Sequence, residues 1–420
     1  MKLGFICPQA PGHLNPMIAL ARHLQMRNHD VVFLYSQGAA GLPFLPADEQ
    51  DGLTEHRAEL SKKQGDDALK FSIRLIMSQA ESIGKSLPNI VQSNQIDALV
   101  IDSVQFYAEL GAIQLGIPYV DVSCALHFDY SGHTPLFFYG WPHETHAAAL
   151  ARNQDAVTRF VNLRNESGAG LRALAEAAGL RVDWEDPCST LSPWASISQV
   201  PKVFDFESSH WPPQFYHTGP FHDGKGREPV DFPWERITGE PLIYASMGTI
   251  LNGRPDVFRT IIAALARKKD LELVLSIGDQ IDPQQLEPVP KNAIIVKRAP
   301  QLDLLKLAAG CITHGGLNTV LESLAQGVPQ VAIPLAFDQP GVGARIAHHR
   351  TGLVTSLDKL TADHLSTMLN EVLHNSAYWD NSKRMQKAIA EANGLSVAVD
   401  IIEQSLILSR NSQRSFTQVQ

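Results

Sequence analysis

From Cys311 to Gln339 the chain reads CITHGGLNTVLESLAQGVPQVAIPLAFDQ, and this stretch leaves few folds open. Cys311 to Thr313 is a short apolar strand that runs into His314-Gly315-Gly316, after which Leu317, Val320, Leu321 and Leu324 recur at helical spacing. Gly327-Val328-Pro329 ends that helix. Gln330 to Ile333 reads as a second strand, stopped by Pro334, with Asp338 and Gln339 just past its carboxyl end. Strand, glycine turn, helix and strand predict an α/β sheet, in which ligands bind outside the carboxyl ends of the strands.

The turn has the chemistry of an anion seat. Gly315 and Gly316 let the backbone turn sharply and let a ligand approach it, and the first free amides of the helix favour negative charge. His314, Asn318 and Thr319 add donors where a diphosphate would lie. Glu322, one turn beyond Asn318, can accept bonds from a vicinal diol such as a ribose. A bland reading stands beside this one, with Asn318 as a local cap and Glu322 as a solvated charge.

At 420 residues the chain exceeds one compact core, and two α/β domains of roughly 200 residues fit it. The formal net charge of −9 argues against binding to nucleic acid or an anionic membrane, so phosphates must be held by local dipoles and histidine. Cys7, Cys124, Cys188 and Cys311 are scattered without metal-ligand spacing and read as reduced, structural thiols. No apolar run reaches membrane-spanning length and Met1 to Cys7 is too short for a signal peptide, which predicts a cytoplasmic protein.

Other strand ends carry chemistry too. Leu3 to Cys7 leads into a loop bearing His13, before a helix with Leu20, Ala21 and Leu24 on one face. Asp97 to Ile101 ends in Asp102, which could simply cap a helix over 105–115. Leu242 to Ala245 ends in Ser246, Gly248 and Thr249, whose hydroxyls suit phosphate oxygens. Between His127 and His146 a loop rich in aromatics, with Phe128, Phe137, Phe138 and Trp141, could hold an apolar ligand or merely bury area. A helical run covers 147–178. Prolines and glycines crowd 210–240 as an interdomain linker, and 411–420 reads as a frayed polar tail.

The stretch HGGLNTVLESLAQGVPQVAIPLAFDQ resembles the nucleotide-sugar signature of UDP-dependent glycosyltransferases of family one. The IYASMGT, TGPFHDG and DQPGVGAR segments resemble most the bacterial zeaxanthin glucosyltransferase-like and macrolide glycosyltransferase-like members. The resemblance implies the GT-B fold, two Rossmann-like domains facing each other across a cleft. It implies an acceptor domain over 1–215, a linker over 216–240, a donor domain over 241–395 and a helix over 396–410 returning to the first domain.

It further implies His13 as catalytic base, Asp102 as its partner, and a donor site of Ser246, Gly248, Thr249, Arg298, Ala299, Gln301, His314, Gly316, Asn318, Thr319, Glu322, Asp338 and Gln339. Where many relatives have a tryptophan that stacks on uracil, this chain has Arg298, whose guanidinium plane would have to stack instead. The implied reaction is inverting transfer of a hexose, glucose foremost, from a UDP-sugar to a hydroxyl of an apolar acceptor such as a carotenoid, phenolic or polyketide. No cofactor or metal is implied, since the UDP-sugar is a co-substrate. Partners are then the donor, the acceptor and at most peripheral membrane contact, with monomer and dimer both open. Two rivals are a UDP-sugar epimerase of the same architecture and a non-catalytic UDP-sugar-binding subunit.

Overall fold

A computed structural model describes residues 1–36, 38–46, 59, 65–224, 229–249 and 253–417. Residues 47–58 and the last three residues of the tail lie outside the described residues. The chain folds into two parallel sheets, each with helices on both faces.

In the first sheet the strands lie in the order β2-β1-β3-β4-β5-β6. They are β1 (Lys2–Ile6), β2 (Asp30–Phe33), β3 (Ala98–Asp102), β4 (Tyr119–Ser123), β5 (Ser196–Ser198) and β6 (Phe215–His217). The second sheet has the order β12-β11-β10-β7-β8-β9, from β7 (Leu242–Ser246), β8 (Glu272–Ser276), β9 (Ala293–Val296), β10 (Ala308–Thr313), β11 (Gln330–Ala332) and β12 (Gly352–Val354). Strands covered on both faces read as unbroken apolar runs, and Leu99, Val100 and Ile101 of β3 are all fully buried. The first sheet runs through His217, two residues past the 215 boundary expected for its domain.

Helix α1 (Pro11–Met26) starts earlier than its apolar spacing suggests, because Pro11 sits at its first turn with φ already helical. His13 therefore stands in the first turn of a helix and not on a loop. Helix α2 (Gly65–Ser93) and helix α3 (Glu109–Leu115) flank the same sheet. Residues 103–108 are turns, so α3 begins four residues later than the 105–115 expectation. The helical run over 147–178 is two helices, α4 (Ala147–Ser167) and α5 (Ala169–Ala177), separated at Gly168.

The second domain supplies α6 (Pro255–Ala266), α7 (Gln301–Leu307), α8 (Leu317–Ala325), α9 (Gln339–His348), α10 (Ala362–His374) and α11 (Ser376–Ala392). Helix α12 (Gly394–Thr417) then crosses to the first domain. It inserts Ala398, Val399, Ile402 and Leu406 into the core beside Leu20 and Leu24 of α1, and Arg27 pairs with Glu403 at 2.8 Å. It continues through Thr417, where a frayed tail was expected from residue 411. Near the end of its first passage through the first domain the chain runs past the point where it returns, and the backbones of Gly219 and Gly394 touch there. A Cβ on Gly394 would lie 2.5 Å from the Gly219 carbonyl carbon. No helix of the described residues is long and apolar enough to cross a membrane.

The domains are locked at one seam by charge. Arg345 of α9 donates from Nε to Asp205 Oδ1 at 2.8 Å, and both residues are 3% exposed. Burial alone would raise the Asp205 pKa, but Arg345 and then His127 outweigh it and hold the carboxyl below the usual carboxylate range. Beside this pair Gly341 of α9 meets the turn at Phe137, where a Cβ would come within 2.5 Å of Phe137 Cβ.

Arg345→Met, which strands a buried carboxylate, should lower the unfolding free energy by about 3 kcal/mol in urea titrations. Because the folded pKa of Asp205 lies below its unfolded value, that deficit should persist from pH 8 to 5 and shrink only as pH falls below about 4. A deficit that shrinks between pH 8 and 6 would assign the effect to the neighbouring histidines.

Candidate functional site

Parallel pairing puts the first two site residues together. In the β1–β3 ladder Ile6 lies opposite Ile101, so the chain beyond Ile6 and Asp102 leave the sheet side by side. His13 Nδ1 lies 2.8 Å from Asp102 Oδ2, with Asp102 fully buried and His13 20% exposed. Asp102 Oδ1 accepts the amide of Val104 at 3.2 Å, so the carboxylate also holds its own turn. Burial disfavours the imidazolium, but the charge and hydrogen bond of Asp102, helped by the charge of Asp338, prevail and raise the His13 pKa above 6.5. With Nδ1 occupied by a carboxylate, Nε2 is the nitrogen left to take a proton.

Across the cleft, β10 ends in Thr313, paired in register with Ser246 of β7. Thr313 Oγ1 accepts the amide of Gly315, which has φ +80°. Gly316 precedes α8 without any side-chain cap, leaving the first amides of that helix open. The ring of His314 lies between Gly248 and Gly316. A Cβ on Gly248 would sit 2.5 Å from His314 Nε2, and one on Gly316 would collide with the same atom. Gly248 also has φ +76°. Burial lowers the His314 pKa to about 4, so the ring meets an anion as a neutral donor. Ser246 is buried, its hydroxyl accepting the Gly248 amide at 3.4 Å, and Thr249 is exposed beside it.

Glu322 is 2% exposed, and Gln301 Nε2 donates to it at 2.6 Å and to Thr319 Oγ1 at 3.3 Å. The Tyr244 hydroxyl donates to Gln301 Oε1 at 2.9 Å. Tyr244 completes this chain and was not singled out in the sequence, since a buried strand tyrosine looks like core. Ala299 gives its carbonyl to the Gln301 amide. Arg298 is exposed and pairs with Asp279 at 2.9 Å, a surface contact that aims its guanidinium but adds little stability.

Three expected donor contacts are placed differently. Asn318 spends both ends of its amide across the cleft: Nδ2 donates to the Gly12 carbonyl at 2.7 Å, and Oδ1 accepts from Gln199 Nε2 at 2.8 Å. Pro16 is the reason, for it has no N–H to give Gly12 four residues earlier. Gln339 Oε1 accepts the amides of Leu335 and Ala336, so it braces its own loop and only the amide nitrogen is left for a ligand. Asp338 Oδ2 accepts the amide of Leu126 from the other domain at 3.2 Å, and burial raises its pKa.

A cavity of about 370 Å³ opens in the first domain at the carboxyl ends of β3 and β4, where Ser103 and Ser123 line it. Its walls are Phe106, Tyr107, Phe128, Tyr130, Trp211 and Phe215. Of the four aromatics expected to line an apolar pocket, only Phe128 does. Phe137 is buried in the core between the domains with Leu317 and Val342, Phe138 packs beside it, and Trp141 stacks on Tyr139 at 4.3 Å. The lining comes from segments far apart in the chain, which loop composition cannot reveal. Among the described residues, His127, Asp205 and His217 form the grouping that could hold a metal, with ligand atoms within 4.8 Å of one another. Arg345 already neutralises Asp205, so these residues read as a charge-paired seam.

Residues 259–403 match the family described as Erythromycin biosynthesis protein CIII-like, C-terminal domain. The whole chain is similar to a zeaxanthin glucosyltransferase of Pantoea ananas, 28% identical over 95% of this chain and 94% of that one. It is also similar to the NDP-glycosyltransferase YjiC of Bacillus subtilis (strain 168), 26% identical over 94% of each. Among solved structures, the calicheamicin glycosyltransferase CalG4 superposes with a TM-score of 0.75 at 23% identity, over 96% of this chain and 98% of that one. The glycosyltransferase VinC, solved in complex with dTDP, gives 0.69 at 19% identity, over 97% and 99%.

Glu322→Ala should weaken uridine diphosphate binding at least tenfold in calorimetry, the scale of a lost hydrogen bond to a charged group. Gly316→Ala, whose methyl would push the His314 ring out of place, should do the same. Unchanged affinity in both would move the nucleotide elsewhere.

Proposed function

Since this chain is a glycosyltransferase with the GT-B fold, we propose that it moves a hexose, glucose foremost, from a UDP-sugar to a hydroxyl of an apolar small molecule with inversion. The observation that carries this reading is the His13–Asp102 pair, 2.8 Å apart, facing the open amino end of α8 across a cleft bridged by Asn318 and Asp338. The names of relatives, among them a zeaxanthin glucosyltransferase and a demethyllactenocin mycarosyltransferase, support a carotenoid, phenolic or polyketide acceptor. A cavity walled by aromatic rings suits such a molecule and would be idle in a sugar epimerase or a mere sugar-binding subunit.

In the proposed step the acceptor oxygen attacks the anomeric carbon as the bond to the diphosphate breaks. The hydroxyl proton passes to His13 Nε2, and the electron pair leaves with UDP. Asp102 holds the tautomer and stabilises the imidazolium that forms. Charge developing on the diphosphate meets the α8 amides, neutral His314 and the hydroxyls of Ser246 and Thr249, an array of fixed dipoles that requires no metal. Asp338 accepts from sugar hydroxyls and Gln339 donates through its amide nitrogen. Single displacement on one face inverts the anomeric centre. Placement in the cytoplasm goes with this reading.

Mass spectrometry of products from UDP-glucose, and in parallel dTDP-glucose, with a panel of hydroxylated lipophiles and phenols tests the proposal. A hexosyl adduct supports it, and an epimerised donor without acceptor favours the rival. His13→Ala should lower kcat by roughly two to four orders of magnitude with donor affinity kept. In the wild type, kcat/KM should fall as pH drops through an apparent pKa above 6.5, where His13 becomes protonated. Asp102→Asn should move that limb to lower pH, and a limb that stays in place would take Asp102 out of the pair's electrostatics.

A further inference from the structure

Arg164, on α4, lines the aromatic cavity and is 3% exposed. Its Nη1 makes two long contacts, to the Tyr130 hydroxyl at 3.4 Å and the Pro187 carbonyl at 3.5 Å, and its Nε has no hydrogen-bond partner. No carboxylate of the described residues reaches it as an ion-pair partner. Rings of Tyr107, Phe106 and Tyr130 lie 5.1 to 5.8 Å from its guanidinium carbon and offset part of the cost of burying the charge. A guanidinium does not shed its proton to escape burial, so a poorly paired one is expensive to keep inside a protein.

The acids around the cavity leave that charge open. Glu109 packs against Asp121, and burial together with the charge of Asp121 pushes its carboxyl well up; Arg164 acts on Glu109 through space, from beyond ion-pair distance. Asp129 is saturated by four bonds, from the amides and hydroxyls of Ser131 and Thr134. Asp186 is exposed and accepts the amide of Cys188. The other cavity residue able to carry positive charge from the interior, His127, is engaged by Ser198 and Asp205.

We infer that the cavity binds a molecule whose apolar, ring-bearing body carries a carboxylate, seated on the guanidinium of Arg164. The fork geometry of arginine matches a carboxylate in two parallel bonds, and the surrounding rings supply the apolar contact. This inference rests on the reading of the cavity as the acceptor site, and narrows that reading from apolar molecules in general to hydroxylated aromatic or polyketide acids. A neutral carotenoid would leave the cation unanswered.

The test uses hydroxyaryl and hydroxyalkyl-aryl carboxylic acids paired with their primary amides, which match them in shape and lack the charge. Binding is read without donor by quenching of tryptophan fluorescence, since Trp211 lines the cavity. The acids should bind at least tenfold more tightly than the amides, the scale of a charge-assisted hydrogen-bond pair. In Arg164→Met the ratio should fall to near one, and in Arg164→Lys part of it should survive. Should Arg164→Met fail to melt cooperatively, the ratio in Arg164→Lys decides. Equal binding of acids and amides throughout the panel, or a preference that survives in Arg164→Met, overturns the inference. Transfer assays on the same compounds separate the two claims: sugar moving equally to acids and amides sinks only this inference. Acids held through Arg164 but never glycosylated sink only the transferase reading.

Discussion

Helix α1 cannot make one of its own hydrogen bonds, and the geometry of the cleft follows from where the freed carbonyl points. Proline at position 16 leaves Gly12 without its helical partner, and the donor that replaces it, Asn318, comes from the first turn of α8 in the other domain. That one bond ties the helix bearing His13 to the helix whose amides face the anion seat. Gln199 extends the tie, donating to both Asn318 Oδ1 and the Cys124 carbonyl while its own carbonyl accepts from Phe221. The spacing between His13 and the amino end of α8 is thus set by backbone and amide groups, whose positions respond little to pH or salt.

Charge is used sparingly and only where burial makes it strong. The chain carries a formal −9, yet the turn before α8 presents helix amides, hydroxyls and a neutral imidazole, with no full positive charge among them. Arg164 apart, the buried charges of the cleft and seam are placed against one another: Asp102 under His13, Arg345 on Asp205, Asp338 within electrostatic reach of His13. In a region of low dielectric each of these interactions counts for more than any pair on the surface.

What could be read from the sequence divides along physical lines. Segments whose chemistry is local were legible: the glycine turn at 315–316, the helix face from Leu317 to Leu324, and aspartate 102 at the end of an apolar strand. Backbone conformation and period carry those signals. Strands β5, β6 and β12 escaped because SIS, FYH and GLV are too short to show a period and, unlike the equally short β11, do not follow the glycine turn and helix that announced it. The rest of the cavity escaped because Phe106, Trp211 and Phe215 meet Phe128 and Tyr130 only through the sheet order, and each alone looks like ordinary core. The first turn of α1 was read as loop because its proline-rich wording hides that Pro11 starts a helix while Pro16 is tolerated inside it. The intramolecular bonds of Asn318 and of Gln339 Oε1 were not legible, because nothing in their neighbours along the chain announces a partner more than a hundred residues away or a brace on their own loop.

The chain passes between the two lobes twice, and its return touches the first domain's own main chain at Gly219. Gly219 on the way out and Gly394 on the way back are pressed main chain to main chain, with no room for a side chain on the latter. Asn393, just before the second passage, holds φ +47°. Because the lobes also share the buried core of Phe137, Leu317 and Val342, any swing about Gly219 and Gly394 would have to peel that core apart, and α12, gripping α1 along its length, belongs to the lobe that carries His13.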